Sequence, residues 1–168
     1  MSFSMYQASV PALLQILGSM STILDKAAQH CTERKIEPSA ILSFRLSPDM
    51  FPFTRQIQIM TDQAKGCMAR LAGVEVPAYS DTEASFEELK ARIAKTVAFV
   101  KSFQPGQIEG SETREVVLKV GGNDMKFTGS QYLVNFVLPN FYFHATTAYD
   151  ILRHCGLQIG KRDFLGAR

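Results

Sequence analysis

The sequence predicts a mainly α-helical protein: a four-helix bundle with one β-hairpin between the third and fourth helices. Apolar residues recur at helical spacing in four long segments, which is typical of helices that bury one face. One β-branched run with a glycine-rich turn separates the last two of these segments. The 168 residues contain no internal repeat and no linker, so we expect a single domain spanning residues 1–168.

The first helix is expected over residues 6–34, where the apolar stripe consists of Val10, Leu13, Leu14, Leu17, Met20, Ile23 and Leu24. Pro11 leaves two alternatives for the start of this helix. Either Pro11 lies in the first turn with Ser9 as the cap, or it kinks a helix that begins nearer Ser4. A short helical turn is expected next, over residues 38–44.

The second helix is expected over about residues 50–71, ending at Gly73. The sequence Ser47-Pro48-Asp49 is a helix start signal, and we interpret Asp49 as the N-cap. Pro52 then falls in the first turn, where proline is tolerated because the N–H that it lacks has no partner within the helix.

The third helix is expected to start at Ser85, because Glu88 follows three residues later and the two form a capping box. Its buried stripe consists of Phe86, Leu89, Ile93, Val97 and Val100. Lys90, Arg92 and Lys95 are assigned to its solvated side.

A hairpin is predicted over residues 114–128, because a β-branched run leads into a Gly/Asn/Asp turn at residues 121–124. The fourth helix is expected to start after Gly129 and to end near Gly156. The tail over residues 157–168 is mixed in composition, and we expect it to pack as an extended strap or to fray.

The fourth helix carries the most informative pattern of the chain. Asn140 and His144 are four residues apart, so both lie on one helix face, just after Pro139. That face contains Leu133, Val137, Asn140, His144, Thr147 and Ile151, the spacing of an inward stripe. Buried polar groups need partners, because each one left unsatisfied costs about 1–3 kcal/mol. We therefore predict His144 as a catalytic base or hydrogen-bond donor and Asn140 as a ligand-binding residue.

Each of these residues also has a purely structural interpretation. Asn140 satisfies a carbonyl freed by Pro139 in one interpretation, and His144 is a hydrogen-bonded core histidine in another. Asp150 and His154, also four apart, are ligand-binding candidates, although such a pair near a helix end is usually a surface or dipole contact.

The second helix contributes a polar line at helical spacing, formed by Arg55, Gln58 and Asp62. Such a line is usually a solvated face. Because the same helix must bury several apolar residues, we expect Gln58 or Asp62 to point inwards as a ligand-binding residue.

Composition excludes several classes of protein. The net charge is +2 with no basic stripe, so we expect no nucleic-acid partner. The N-terminus lacks a signal-peptide pattern, and we identify no apolar run of the roughly 18 residues that a membrane span needs. Cys31, Cys67 and Cys155 are odd in number and widely separated, which indicates reduced thiols and a cytoplasmic protein.

Three blocks of the sequence resemble one bacterial family. They are Met5-Tyr-Gln-Ala-Ser-Val-Pro11, Ala40-Ile-Leu-Ser-Phe-Arg-Leu-Ser-Pro-Asp-Met-Phe-Pro52, and the fourth-helix block from Asn140 to His154 with Gly160-Lys-Arg-Asp-Phe-Leu-Gly166. The resemblance covers nearly the whole chain. It is to a family known only as a domain of unknown function, placed in the DinB/YfiT-like superfamily. The superfamily fold is a four-helix bundle, often dimeric.

The resemblance also implies a metal, which these residues do not support. Superfamily members of known chemistry bind zinc or nickel through one His of the second helix and two His four apart on the fourth; some are thiol-dependent transferases or isomerases. Here the second helix offers Gln56, Gln58 and Asp62, and the fourth offers Asn140 and His144. Amides are weak ligands for these ions, so no metal ligands are assigned, the cofactor is unknown and tight zinc or nickel is not expected.

Two hypotheses about function follow. The first is a bundle with a polar-bottomed cavity at His144 that binds a small ligand or a weakly held metal. The second is a non-enzymatic binding or dimerisation bundle whose polar stripe is structural; the metal-dependent transferase of the superfamily is a further alternative. A homodimer is expected because the fourth helix has apolar residues on several sides, including Phe136, Phe141, Tyr142, Phe143 and Tyr149.

Overall fold

Three long helices and a fourth, composite helical segment form the bundle, and one hairpin is attached to it. The computed structural model describes residues 4–166. In chain order the elements are α1 Met5–Arg34, α2 Pro38–Leu42, α3 Phe53–Ala72, α4 Phe86–Lys101, α5 Pro105–Ile108, a 3₁₀ turn Ser111–Thr113, β1 Glu115–Val120, β2 Asn123–Thr128, α6 Gly129–Gln131, a π segment Tyr132–Val137, α7 Leu138–His154 and α8 Lys161–Leu165. Helix α3 packs against both α4 and α7, and α1 packs against α4. The predicted mainly α-helical fold is confirmed.

Helix α1 follows the second of the two alternatives for its start. Ser4 is the N-cap: its hydroxyl accepts from the Gln7 N–H at 3.2 Å, and the Gln7 side chain accepts from the Ser4 N–H. Pro11 lies inside the helix.

Contrary to the sequence-based expectation, one described helix, α1, is long and apolar enough to span a membrane, with a mean hydropathy of 1.2. Half of that window is buried in the bundle.

Helix α3 begins at Phe53, three residues later than predicted, and Asp49 is not its N-cap. Asp49 instead accepts from the Ser47 hydroxyl at 2.7 Å, and extended Pro52 precedes the first helical residue. The physical reason is that a proline ring clashes with the residue before it and disfavours the α conformation there. Phe51, which precedes Pro52, is therefore disfavoured in the first turn of α3. At the other end Gly73 has φ +72° and ends the helix as predicted.

Helix α4 is capped by Ser85, as predicted, through the Glu88 N–H at 3.1 Å. The carboxylate of Glu88 reaches the N–H of Ala84 at 2.6 Å, one residue before the cap. The hairpin closes on Gly121 and Gly122, whose φ angles of +58° and +85° are those of a two-residue turn matched to strand twist. Its inward face buries Val116 and Leu118.

The fourth helical segment contains the main irregularity of the fold. Its backbone remains helical from α6 through the π segment into α7, and the π segment ends two residues before Pro139. Proline clashes with the carbonyl four residues earlier and has no N–H for it. The wider π turn accommodates this, and the Asn140 side chain donates to the Phe136 carbonyl at 2.7 Å.

The C-terminal tail forms the short helix α8 against α1. Lys26 and Asp163 form an ion pair, and the Gln15 side chain donates to the Leu165 carbonyl at 2.7 Å. The described part of the tail is therefore an ordered strap with one helical turn.

Candidate functional site

His144 lies at the α3–α7 interface and is hydrogen-bonded to Gln56. The ring is 8% exposed, and its Nδ1 lies 2.7 Å from Gln56 Oε1. The amide nitrogen of Gln56 donates to the Phe51 carbonyl at 2.9 Å, so the amide oxygen is the atom that faces the ring. His144 therefore carries its proton on Nδ1 and donates it to Gln56, which leaves Nε2 as a hydrogen-bond acceptor.

Burial, with the positive charge of Arg55 as a second cause, lowers the pKa of His144 to about 4. The imidazole is consequently neutral at pH 7. Its Nε2 atom has no hydrogen-bond partner among residues 4–166. Ser111 Oγ, and not this atom, is the fully buried side-chain atom without a partner in the described residues. His144 Nε2 is therefore not fully buried, and it is the acceptor that a hydrogen-bond donor from outside the protein would use.

Two exposed aromatic residues are connected to the pair of His144 and Gln56: Phe143 precedes His144 in the chain, and the carbonyl of Phe51 accepts from Gln56. Phe143 meets the His144 ring edge-on, with ring centroids 5.2 Å apart, and is 56% exposed. Phe51 is 53% exposed, and the guanidinium carbon of Arg55 lies 6.0 Å from its ring centroid. We call these five residues the His144 site: Phe51, Arg55, Gln56, Phe143 and His144.

Asn140 is half-buried one turn before His144. Its side-chain nitrogen donates to the Phe136 carbonyl. This bond to a backbone carbonyl one turn back is the structural alternative that sequence analysis gave for Asn140. The other five residues of the predicted inward stripe are buried: Leu133, Val137, His144, Thr147 and Ile151.

Gln58 and Asp62 do not join His144, because both lie on the other flank of α3. The Gln58 amide donates to Glu83 Oε2 at 2.9 Å, and Asp62 Oδ1 accepts from Arg92 at 2.8 Å. The helical geometry explains the separation, since Gln56 faces α7 whereas residues two and six positions later face α4 and the loop before it.

The second polar cluster is centred on Arg92, which sequence analysis wrongly assigned to the solvated side. Arg92 is 4% exposed, and its guanidinium donates hydrogen bonds to several neighbouring residues. Its contacts, which we call the Arg92 cluster, are Gln58, Thr61, Asp62, Ser80, Asp81 and Glu83. Burial alone would raise the pKa of Glu83, but hydrogen bonds from Arg92 and Gln58 outweigh it and lower the pKa.

The Arg92 cluster fixes the loop between α3 and α4, and three of its members, Ser80, Glu83 and Arg92, also line a groove. The ring of Tyr79, in this loop, lies 3.9 Å from Lys65 Nζ, 4.2 Å from Lys95 Nζ and 5.2 Å from the Arg92 guanidinium carbon. Lys65 also pairs with Asp62 at 2.8 Å. Sequence spacing contains a signal for the buried arginine, because Arg92 lies three residues after Leu89 on the apolar stripe.

Asp150 and His154 are both exposed, and the described residues show no ion pair between them. The His154 ring packs at 5.3 Å from the ring of Phe44, in the last turn of α7. Neither residue lies with His144, since both belong to the outer surface of the helix.

The residues around His144 do not fit a tight zinc or nickel site. Its Nδ1 is hydrogen-bonded to an amide, the side-chain nitrogen of Asn140 is bonded to a backbone carbonyl, and Asp62 is held by two cations on another face of α3. Zinc needs three or four strong N, S or carboxylate ligands. Among residues 4–166 no three His, Cys, Asp or Glu side chains come together as such a set.

Three grooves lie elsewhere on the surface, with volumes of about 750, 440 and 350 Å³. The largest lies between α1 and α8, the second at the C-terminal end of α1, and the third beside Tyr79 and Lys95. None of these three grooves is lined by His144, so the His144 site lies outside them.

Residues 5–165 match the family model described as "Domain of unknown function (DUF1993)". The chain belongs to the DUF1993 family. A crystal structure of a DinB family member protein from Shewanella denitrificans is 34% identical and has a TM-score of 0.89; the match covers 97% of this chain and 92% of that one. No curated protein matches the chain. This DUF1993 chain therefore has a DinB-like fold, as the resemblance of its three sequence blocks implied.

Proposed function

We propose that this DUF1993 protein binds a small organic molecule at His144. The observation that supports this is the fixed tautomer: Gln56 holds the proton on Nδ1, so Nε2 presents a lone pair beside exposed aromatic rings. A ligand with a hydroxyl or N–H group would donate to Nε2, and its apolar part would contact Phe51 or Phe143. The three free cysteines accord with a cytoplasmic protein.

Binding is proposed rather than catalysis by His144. A general base works best when its pKa lies near the working pH, whereas the pKa of this imidazole is about 4. A metal-dependent transferase activity is not proposed either, because the available ligands do not fit zinc or nickel.

The proposal predicts that benzyl alcohol, a phenyl ring with one hydroxyl donor, binds weakly and shifts the ¹⁵N resonance of His144 Nε2. The variant Phe143→Ala is expected to bind about fivefold more weakly, as loss of roughly 1 kcal/mol of aromatic contact implies. Titration of ¹⁵N-histidine-labelled protein measures both effects.

The matched control is His154→Gln, which removes the exposed imidazole of α7 and should leave the titration unchanged. If benzyl alcohol at high millimolar concentration leaves the His144 resonance in place, the proposed function is wrong. The same conclusion follows if both Phe143→Ala and Phe51→Ala bind as well as the parent protein does.

A homodimer is a second proposal, based on the exposed apolar residues of the fourth helical segment. Val134 is 58% exposed, and Tyr142 is also exposed. We expect a dimer at tens of micromolar, where a standard-size interface of about 1,600 Å² holds, and a monomer for Val134→Asp. Sedimentation velocity tests this, with Val74→Asp, on an exposed loop residue, as the control. A monomeric parent protein at that concentration contradicts the proposal.

A further inference from the structure

Arg55 has a hydrogen-bonding edge that the protein does not use. A guanidinium carries five N–H donors in a planar fork. Both protein contacts of Arg55 use Nη1, which donates to Gln58 Oε1 at 3.2 Å and pairs with Asp81 Oδ2. The edge formed by Nε and Nη2 has no hydrogen-bond partner among residues 4–166, and this is the edge that binds a carboxylate with two parallel bonds.

Arg55 lies next to other residues of the His144 site, so its free edge is part of that site. Arg55 precedes Gln56, the partner of His144, and its guanidinium lies over the exposed ring of Phe51. Phe51 connects Arg55 and His144: its ring lies under the Arg55 guanidinium, and its carbonyl accepts from Gln56, which also holds His144.

The existing ion pair does not block a ligand. The side chains of Arg55 and Asp81 are 36% and 40% exposed, and pairs with such exposure contribute little to stability. Asp81 is also shared with Arg92, 3.0 Å away, so its charge is divided between two guanidinium groups. A carboxylate can therefore bind the free edge of Arg55 with or without displacement of Asp81.

We propose that the ligand of this site is an organic carboxylate with a neighbouring hydroxyl or N–H group and an apolar substituent. Arg55 would bind the carboxylate through Nε and Nη2, His144 Nε2 would accept the hydroxyl or N–H, and Phe51 or Phe143 would contact the apolar part. This inference rests on the proposed function and specifies its ligand class as 2-hydroxy or 2-acylamino acids.

Three matched probes test the proposal on the full chain. Mandelate has the ring, the hydroxyl and the carboxylate; 1-phenylethane-1,2-diol lacks the charge; phenylacetate lacks the donor. We expect mandelate to bind about tenfold more tightly than either, since hydrogen bonds to charged groups are the stronger ones. Titrations follow the ¹⁵N resonance of His144.

Two variants should change this preference in opposite directions. Arg55→Gln should reduce the affinity for mandelate to that of the diol, whereas Asp81→Asn, which removes the competing carboxylate, should increase it. Arg55→Lys keeps the charge without the fork and should give an intermediate affinity. Arg34→Gln, on an exposed arginine in the last turn of α1, is the matched control and should have no effect.

The outcomes separate the two proposals. If mandelate and the diol bind equally well at His144, the anion inference is wrong and the proposed function stands. A preference for mandelate that persists in Arg55→Gln also overturns the role of Arg55. If none of the three probes shifts the His144 resonance, the proposed function itself fails.

Discussion

Replacing Arg92 with methionine is expected to lower the free energy of unfolding by about 3 kcal/mol, the lower end of the range for breaking a buried ion pair. The side chain of Arg92 is 2% exposed and donates to Glu83 and Asp62 at 3.0 and 2.8 Å. Its removal leaves the carboxylate of Glu83, 13% exposed, without its strongest partner. Because Asp62 keeps its contact with Lys65 and is one-third exposed, the loss should not reach the upper end.

Urea unfolding followed by circular dichroism measures this change. Arg34→Met, on an exposed arginine in the last turn of α1, should stay within about 0.5 kcal/mol of the parent protein. Adding Glu83→Gln to Arg92→Met should recover about 1 kcal/mol, because it removes the stranded charge. A loss below about 1 kcal/mol for Arg92→Met would show that the cluster is solvated and does not hold the loop.

Lowering the pH from 7.5 to 5.0 is expected to reduce the free energy of unfolding by about 2 kcal/mol through His144 alone. The pKa of this imidazole is about 4 in the folded protein and near 6.5 in the unfolded chain. Between these values the unfolded chain binds a proton that the folded protein does not, so stability falls as the pH falls. Carboxylates with lowered pKa, such as Glu83, lose their contribution only at lower pH, near and below their unfolded pKa.

Urea unfolding at the two pH values tests the role of His144. The double variant His144→Phe with Gln56→Leu removes the imidazole and its partner together, so no buried amide is left unsatisfied. It should lose most of the pH dependence, whereas His154→Gln should keep it. An unchanged dependence in the double variant would assign the effect to other groups.

The sequence predicts the fold well because the features that determine it are local. The cap at Ser85, the glycine end of α3 and the hairpin turn depend on residues within a few positions of each other, and all three are in the structure. The start of α3 was predicted too early because the restriction that Pro52 places on Phe51 outweighs the start signal at Ser47.

The site was less predictable because it depends on which neighbour each flank of α3 faces. Sequence spacing identified His144 on an inward face, but it could not distinguish Gln56, which faces α7, from Gln58, which faces α4. Arg92 was assigned to solvent from its charge alone, since its carboxylate partners lie up to 30 residues away in sequence.

The π segment before Pro139 affects how this protein should be compared with its relatives. A π turn holds one more residue than an α turn, so the residues after it are rotated by about 100° relative to an uninterrupted helix. A relative without the π segment would have its equivalent of His144 at a different distance from its hairpin. Residue roles should therefore be transferred by the partner that each side chain contacts, beginning with the pair His144 and Gln56, and not by counting along the helix.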